Sequence, residues 1–166
     1  MAGLAAVEIR DATPEDWSAI WPFLRAIVRA GETYTLPRDI TRESALDYWW
    51  RREHEVFVAE EGGPILGTYF LQANQAGGGS HVANGGYVTA QATQGHGVAR
   101  AMLEHSLARA RDRGFRAMQF NFVVSTNERA IRTWQAYGFE IVGRLPLAFD
   151  HPARGFVDAL VMYRAL

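Results

Sequence analysis

The stretch Gln94-Gly95-His96-Gly97-Val98-Ala99 constrains this chain more than any other. An apolar run, Gly86-Tyr87-Val88-Thr89, precedes it, and a helical pattern over residues 98–113 follows it. A glycine-rich turn from strand to helix lets the backbone approach a ligand with no Cβ atoms in the way. The first N–H groups of a helix have no internal partner, and the helix dipole favours negative charge there. Such a turn is an anion cradle, suited to a pyrophosphate.

Spacing separates the known cradles. A Walker A loop ends in Gly-Lys-Ser/Thr, and the chain contains no lysine. A dinucleotide fingerprint wants a third glycine and an early βαβ unit. Here Arg100 follows Gly97-Val98-Ala99, past mid-chain. What fits is Gln/Arg-x-x-Gly-x-Gly/Ala, read on Gln94, Gly97 and Ala99, and this resembles the coenzyme A pyrophosphate loop of the GNAT (Gcn5-related) N-acetyltransferases. Further on, Asn127-x-x-Ala130-x-x-x-Trp134-x-x-x-Gly138-Phe139 is similar to the family's Asn-x-x-Ala-x-x-x-Tyr-x-x-x-Gly-Phe. The resemblance is close over residues 86–140 and elsewhere rests on element order. Within the family the chain looks most like the proline-analogue (azetidine-2-carboxylate) acetyltransferases. That likeness lies in the run from Phe120 to Asn127, in Phe149-Asp150-His151-Pro152 and in Val157-Asp158-Ala159.

The resemblance implies an α/β (α+β) GNAT fold: a central mixed, mostly antiparallel sheet of about six or seven strands, flanked by about four helices. It implies acetyl-CoA as co-substrate. Gln94, Gly95, His96, Gly97, Val98 and Ala99 would hold the pyrophosphate, with Arg100 nearby. Val88 and Thr89 would take the pantetheine arm, since a strand edge offers free N–H groups to its amides. Asn127 and Trp134 would contact the cofactor as well. The family's first-loop region lies over the acceptor, which makes Glu32, Thr33 and Tyr34 substrate candidates; a solvated connector is the plainer alternative.

Composition narrows the chemistry. A length of 166 residues, 48% hydrophobic, suits a single domain over residues 1–166. The net charge of −1 gives no bulk basic field for nucleic acid or membrane. With neither lysine nor cysteine, a Schiff base, a thiol nucleophile and a disulfide are excluded. The five histidines show no ligand spacing, so no metal is expected. No leader-like N-terminus or membrane-length apolar run is evident, and the expected home is the cytoplasm.

Along the chain, residues 7–10 alternate as a first strand. Thr13-Pro14-Glu15-Asp16 starts a helix carrying Trp17, Ile20, Trp21, Leu24, Ile27 and Val28 on one stripe. Thr41 caps a second helix reaching Trp50. Strands are expected at 55–60 and 65–72 as a hairpin, then at 84–89 and 116–124. Residues 75–81 read as a flap or a plain hairpin loop. On the third helix Ala99, Leu103, Leu107 and Ala110 are expected to face inward with Met102, while its arginines form a solvated face. In the fifth strand Met118, Phe120 and Phe122 should share one side, with Gln119 and Asn121 on the other. Ser125, Thr126 or Asn127 caps a fourth helix, and 139–147 with 156–163 close the sheet as an antiparallel pair. The family is often dimeric, and Trp49-Trp50 reads equally as interface or core.

Amine acetylation needs a held cofactor, a deprotonated amine, a stabilised oxyanion and a leaving thiolate. The family's thiolate-protonating tyrosine would fall on Trp134, whose indole N–H is no acid. Trp134 therefore reads as a packing residue, and a thiolate leaves tolerably near neutral pH without a dedicated acid. No general base stands out; water or Glu32 is left. The expectation is an orientation-driven enzyme, with Asn121 and Asn127 as catalytic residues and Asn84, Tyr87, Tyr34 and Asn121 lining the acceptor pocket. The acceptor is expected to be a small amino or imino acid or a toxic analogue, which would make the activity a detoxification. The alternatives are an antibiotic- or herbicide-like amine, or an acyl-CoA-binding regulatory module without turnover.

Overall fold

A computed structural model describes residues 6–93 and 95–166. Among these, the strands are β1 (Glu8–Asp11), β2 (Glu55–Glu60), β3 (Ile65–Ala73), β4 (Val82–Thr89), β5 (Ala117–Val124), β6 (Glu140–His151) and β7 (Gly155–Ala165). The helices are α1 (Trp17–Ala30), α2 (Arg42–Trp49), α3 (Val98–Asp112) and α4 (Glu128–Ala136). They build one seven-stranded sheet in the order β1-β2-β3-β4-β5-β7-β6. Every neighbouring pair is antiparallel except β4–β5, which is parallel. This is the expected fold, with the closing strands running longer than the apolar pattern marked.

Helix α1 opens on a 3-10 turn, Pro14–Asp16, rather than directly at Pro14. There the Asp16 carboxylate accepts the Thr13 N–H at 2.7 Å and is gripped by Arg10, which pulls its pKa below the ordinary carboxylate value. The stripe Ile20, Leu24 and Val28 is fully buried, and each such side chain contributes about 1.5–3 kcal/mol of transfer free energy. Gly31, at φ 67°, ends the helix in the left-handed conformation glycine adopts freely. Thr41 Oγ1 caps α2 by accepting from Ser44 N at 3.1 Å.

Two apolar layers sandwich the sheet. One, against α1 and α2, holds Trp17, Trp49, Val56, Val58, Phe70 and Val88; the other, against α3 and α4, holds Phe57, Tyr69, Met102, Leu103, Leu107, Met118, Phe120 and Phe139. Trp49 belongs to the core: it has no exposed surface, and its Nε1 donates to Thr68 Oγ1 at 3.2 Å. Trp50 is half-buried and meets Trp17 edge-on.

Three expectations are corrected. Ala99 is exposed and lines the cleft, and Val98, one turn before Met102 on the buried face of α3, takes the inward position. In β5 the register shifts between Phe120 and Val123, so Val123 rather than Phe122 joins the buried layer. The arginines of α3 are not merely solvated: Arg109 and Arg113 both hold the Glu55 carboxylate, tying α3 to the start of β2.

Candidate active site

Strands β4 and β5 pair only at Val82–Ala117 and Ala83–Met118, then part. Beyond that point β4 stays on β3 through Thr89, while the β5 bulge bends that strand toward β7. Hydrogen bonds from Asn74 N to Val82 O and from Ala90 N to Leu66 O fix the alternation along β4. The even-numbered residues from 82 to 90 therefore turn their N–H and C=O groups to β3, and Gly85, Tyr87 and Thr89 turn theirs into the gap. The gap is the floor of a cleft of about 950 Å³ that passes from the α3–α4 side of the sheet to the α1–α2 side.

At the α3–α4 mouth the cleft is lined by Gly95, Gly97, Val98, Ala99 and Arg100. Gly97 sits at φ 78° as the N-cap of α3; no side chain caps this end and the first turn carries no acid. A methyl group on Gly95 or Gly97 would meet no heavy atom within 4 Å. Open space before uncapped N–H groups, with an arginine beside it, is the geometry an anion requires. Gln94 lies outside the described residues. His96 is turned away, its Nδ1 3.9 Å from Glu61 Oε2, and does not line the cleft.

Facing this turn, α4 contributes Asn127, Arg129, Ala130, Thr133 and Trp134 to the lining. Asn127 is the N-cap residue of α4 but its side chain makes no capping bond. Trp134 packs on Phe120 at 4.8 Å and Tyr87 at 5.3 Å between ring centroids. The Tyr137 hydroxyl donates to Glu104 on α3, and Tyr137 is not part of the lining.

The opposite mouth brings together Glu32, Thr33, Tyr34, Tyr48, Phe70, Gln72 and Asn84. Tyr34 reaches across from the α1–α2 loop and donates to Tyr87 O at 3.0 Å, one of the carbonyls freed by the gap. Burial pushes the Tyr34 phenol up, so it remains a donor. Tyr87 itself, expected beside the acceptor, points the other way: its hydroxyl pairs with Ser106 Oγ at 2.6 Å under α3. Its ring lies on the Trp134 side, and only its backbone belongs to the gap. Val88 likewise sends its side chain into the α1–α2 core at 2% exposure, and by the β4 alternation its backbone groups face β3, so that of Val88 and Thr89 only Thr89 turns its backbone groups into the gap.

Sequence reasoning missed Gln72, Asn74 and Gln119, which bind the expected amides into a chain. Gln72 Nε2 donates to Asn84 Oδ1 at 3.3 Å, and Asn84 Nδ2 to Gln119 O at 2.9 Å. Gln119 Nε2 donates to Asn121 Oδ1 at 2.8 Å, and Asn121 Nδ2 to Asn74 Oδ1 at 2.6 Å. The polar pairs Gln72/Asn74 at the end of β3 and Gln119/Asn121 within β5, each two residues apart, were the available signal. Among the described lining residues Glu32 is the one carboxylate. No group of three or more His, Cys, Asp or Glu side chains able to hold a metal occurs among the described residues. No described helix is long and apolar enough to cross a membrane.

The uncapped start of α3 and the α1–α2 mouth thus face one another through the split in the sheet. The family model for the acetyltransferase (GNAT) family matches residues 15–139, and the chain belongs to that family. It is an acetyl-CoA-dependent N-acetyltransferase. The structure of a GCN5-related N-acetyltransferase from Kribbella flavida is 42% identical, covers 97% of this chain and 98% of its own, and superposes with a TM-score of 0.92. N-acetyltransferase aca1 of Schizosaccharomyces pombe is 26% identical over 161 residues, 87% of this chain and 77% of that protein. A phosphinothricin acetyltransferase from Sinorhizobium meliloti, solved with acetyl-CoA, shares the fold at a TM-score of 0.84 and 22% identity, covering 96% of this chain and 88% of its own.

Proposed function

We propose that the enzyme acetylates the amine of a small amino or imino acid, or a toxic analogue of one, by direct attack in a ternary complex. The carrying observation is the acceptor mouth, narrowed by the Tyr34–Tyr87 bridge and lined by aromatic rings and neutral amides with Glu32 alone at its rim. A polycationic amine would want several carboxylates there. A compact zwitterion needs one, with amides for its polar edges. The free nitrogen lone pair attacks the thioester carbonyl, the tetrahedral oxyanion collapses, the C–S bond breaks and coenzyme A leaves as thiolate. Gly95 to Arg100 would hold the pyrophosphate, the gap-facing backbone of Thr89 the pantetheine arm, and Asn127 and Asn121 the reacting groups, with Trp134 packing the cofactor. Asn127 is available for this because no cap bond occupies its side chain. The proton leaves through water at the Glu32 rim. The same reading has the enzyme detoxifying in the cytoplasm. A homodimer would use the apolar strip of Val142, Leu147 and Phe156, each more than half exposed, rather than Trp49.

The test is thiol release from acetyl-CoA with azetidine-2-carboxylate, proline analogues, phosphinothricin, methionine derivatives, polyamines and aminoglycosides. Turnover confined to the first four classes supports the reading. Preference for polyamines or aminoglycosides overturns it.

A further inference from the structure

His54 is the last residue before β2 and shares the face of Val56 and Val58, toward α1 and α2. Glu55 stands opposite Leu71 and Gln72 opposite Asn84, so one further step of the ladder sets His54 beside Gln72. The ring cannot turn: it stacks on Phe70 with centroids 3.8 Å apart and planes 6° apart, and Tyr48 meets it edge-on. Nδ1 lies 3.0 Å from Trp49 O. A carbonyl only accepts, so Nδ1 carries the hydrogen and Nε2 keeps its lone pair. That Nε2 is buried and without a partner, one of two such side-chain atoms among the described residues, the other being Trp17 Nε1. Leaving a buried acceptor unpaired costs free energy unless something fills it in the working state.

We propose that His54 is a positioning residue for the acceptor: it takes one N–H of the Gln72 amide so that the Gln72 carbonyl oxygen faces the incoming amine. Gln72 lines the cleft and, one ladder step beyond the Glu55–Leu71 pair, is the cross-strand neighbour of His54. Its other N–H is already given to Asn84 Oδ1 at a long 3.3 Å. A small turn of the amide completes the bond to Nε2. Both Gln72 donors are then spent on protein, and Oε1 is left to accept from the amine. This rests on the α1–α2 mouth being the acceptor site. Protonation undoes the arrangement, because an Nε2–H would meet the amide donor and flip it. The ionisable groups around the ring are Tyr48, Arg51 and Glu53; burial, and then Arg51, disfavour the proton, while the Trp49 carbonyl, Glu53 and the Gln72 amide in its resting orientation favour it, and burial prevails. The ring is therefore neutral at neutral pH.

The experiment compares His54→Phe, His54→Gln and Gln72→Ala with the parent, using the acceptor that the substrate panel yields. His54→Phe keeps the stack on Phe70 but has no acceptor; the acceptor KM should rise about fivefold, the worth of one neutral hydrogen bond, with the KM for acetyl-CoA unchanged. His54→Gln restores an acceptor atom near the Nε2 position and should recover most of the loss. In the parent, the acceptor KM should climb as pH falls below the ordinary histidine value of 6.5 while the acetyl-CoA KM stays level, and this rise should vanish in both variants. A parental KM and pH profile in His54→Phe, or no rescue by His54→Gln, overturns the inference. If Gln72→Ala raises the acceptor KM while His54→Phe does not, only the role of His54 fails. If neither changes it, the acceptor site lies elsewhere and the functional reading fails with it.

Discussion

Gly97→Ala separates a cofactor cradle from an ordinary turn. Gly97 sits at φ 78°, where an L side chain costs about 1–2 kcal/mol of backbone strain. An added methyl meets nothing within 4 Å, so no steric cost is added inside the protein. Gly62, in the β2–β3 turn, matches it at φ 65° with the same open surroundings and lies outside the cleft lining. Both alanine variants should therefore lose similar stability, about 2–8 °C in Tm for a chain of this size. Only Gly97→Ala puts a methyl into the space before the uncapped start of α3. Losing one charge-assisted N–H bond to the pyrophosphate is worth about 1.5–3 kcal/mol, roughly 10- to 150-fold in acetyl-CoA affinity. Calorimetric titration with acetyl-CoA beside thermal unfolding reads both quantities. Equal affinities in the two variants would mean that no ligand occupies the cradle, and the assignment of the α3 turn would fall.

Asn127→Ala should leave Tm nearly unchanged, because no cap bond is lost, and lower kcat about 10- to 100-fold through lost orientation; parental turnover would remove Asn127 from the reaction. Trp134→Phe should keep kcat within about twofold, since ring packing survives and no proton transfer is lost; a drop of a hundredfold would give the indole N–H a chemical role. Tyr34→Phe should cost about 1 kcal/mol of stability by unpairing the Tyr87 carbonyl, and should raise the acceptor KM more than that for acetyl-CoA, as read by unfolding and initial rates. His54 and His105 are both held by burial below the histidine reference of 6.5. Below 6.5 the unfolded chain takes up protons that the folded chain refuses, so stability is full above that value and declines as pH falls toward the folded-state pKa values. A pH series of melting temperatures checks this, and a Tm that rises on acidification from pH 7 would contradict it.

The glycine turn before α3, the order of elements and the family were legible in the sequence because each rests on local rules. Glycine at a positive φ, an uncapped helix start and an apolar period are properties of neighbours along the chain. Trp134 sits where helical spacing puts it, on the side of α4 that meets Phe120 and Tyr87. What tertiary structure alone decided is where strands part and which way their side chains point once they do. The β5 bulge moved Phe122 out of the core and Val123 in, and no period-2 pattern announces an inserted residue. Tyr87 looked like an acceptor contact by its place in β4, yet β4 alternation and the pocket under α3 turned its hydroxyl to Ser106. The amide chain from Gln72 to Asn74 joins residues far apart in sequence, and only the ladder register brings them within hydrogen-bonding distance. The sequence by itself determined the glycine turn at the start of α3, one continuous segment; the α1–α2 mouth of the cleft, assembled from four separate segments across the sheet, was decided by packing.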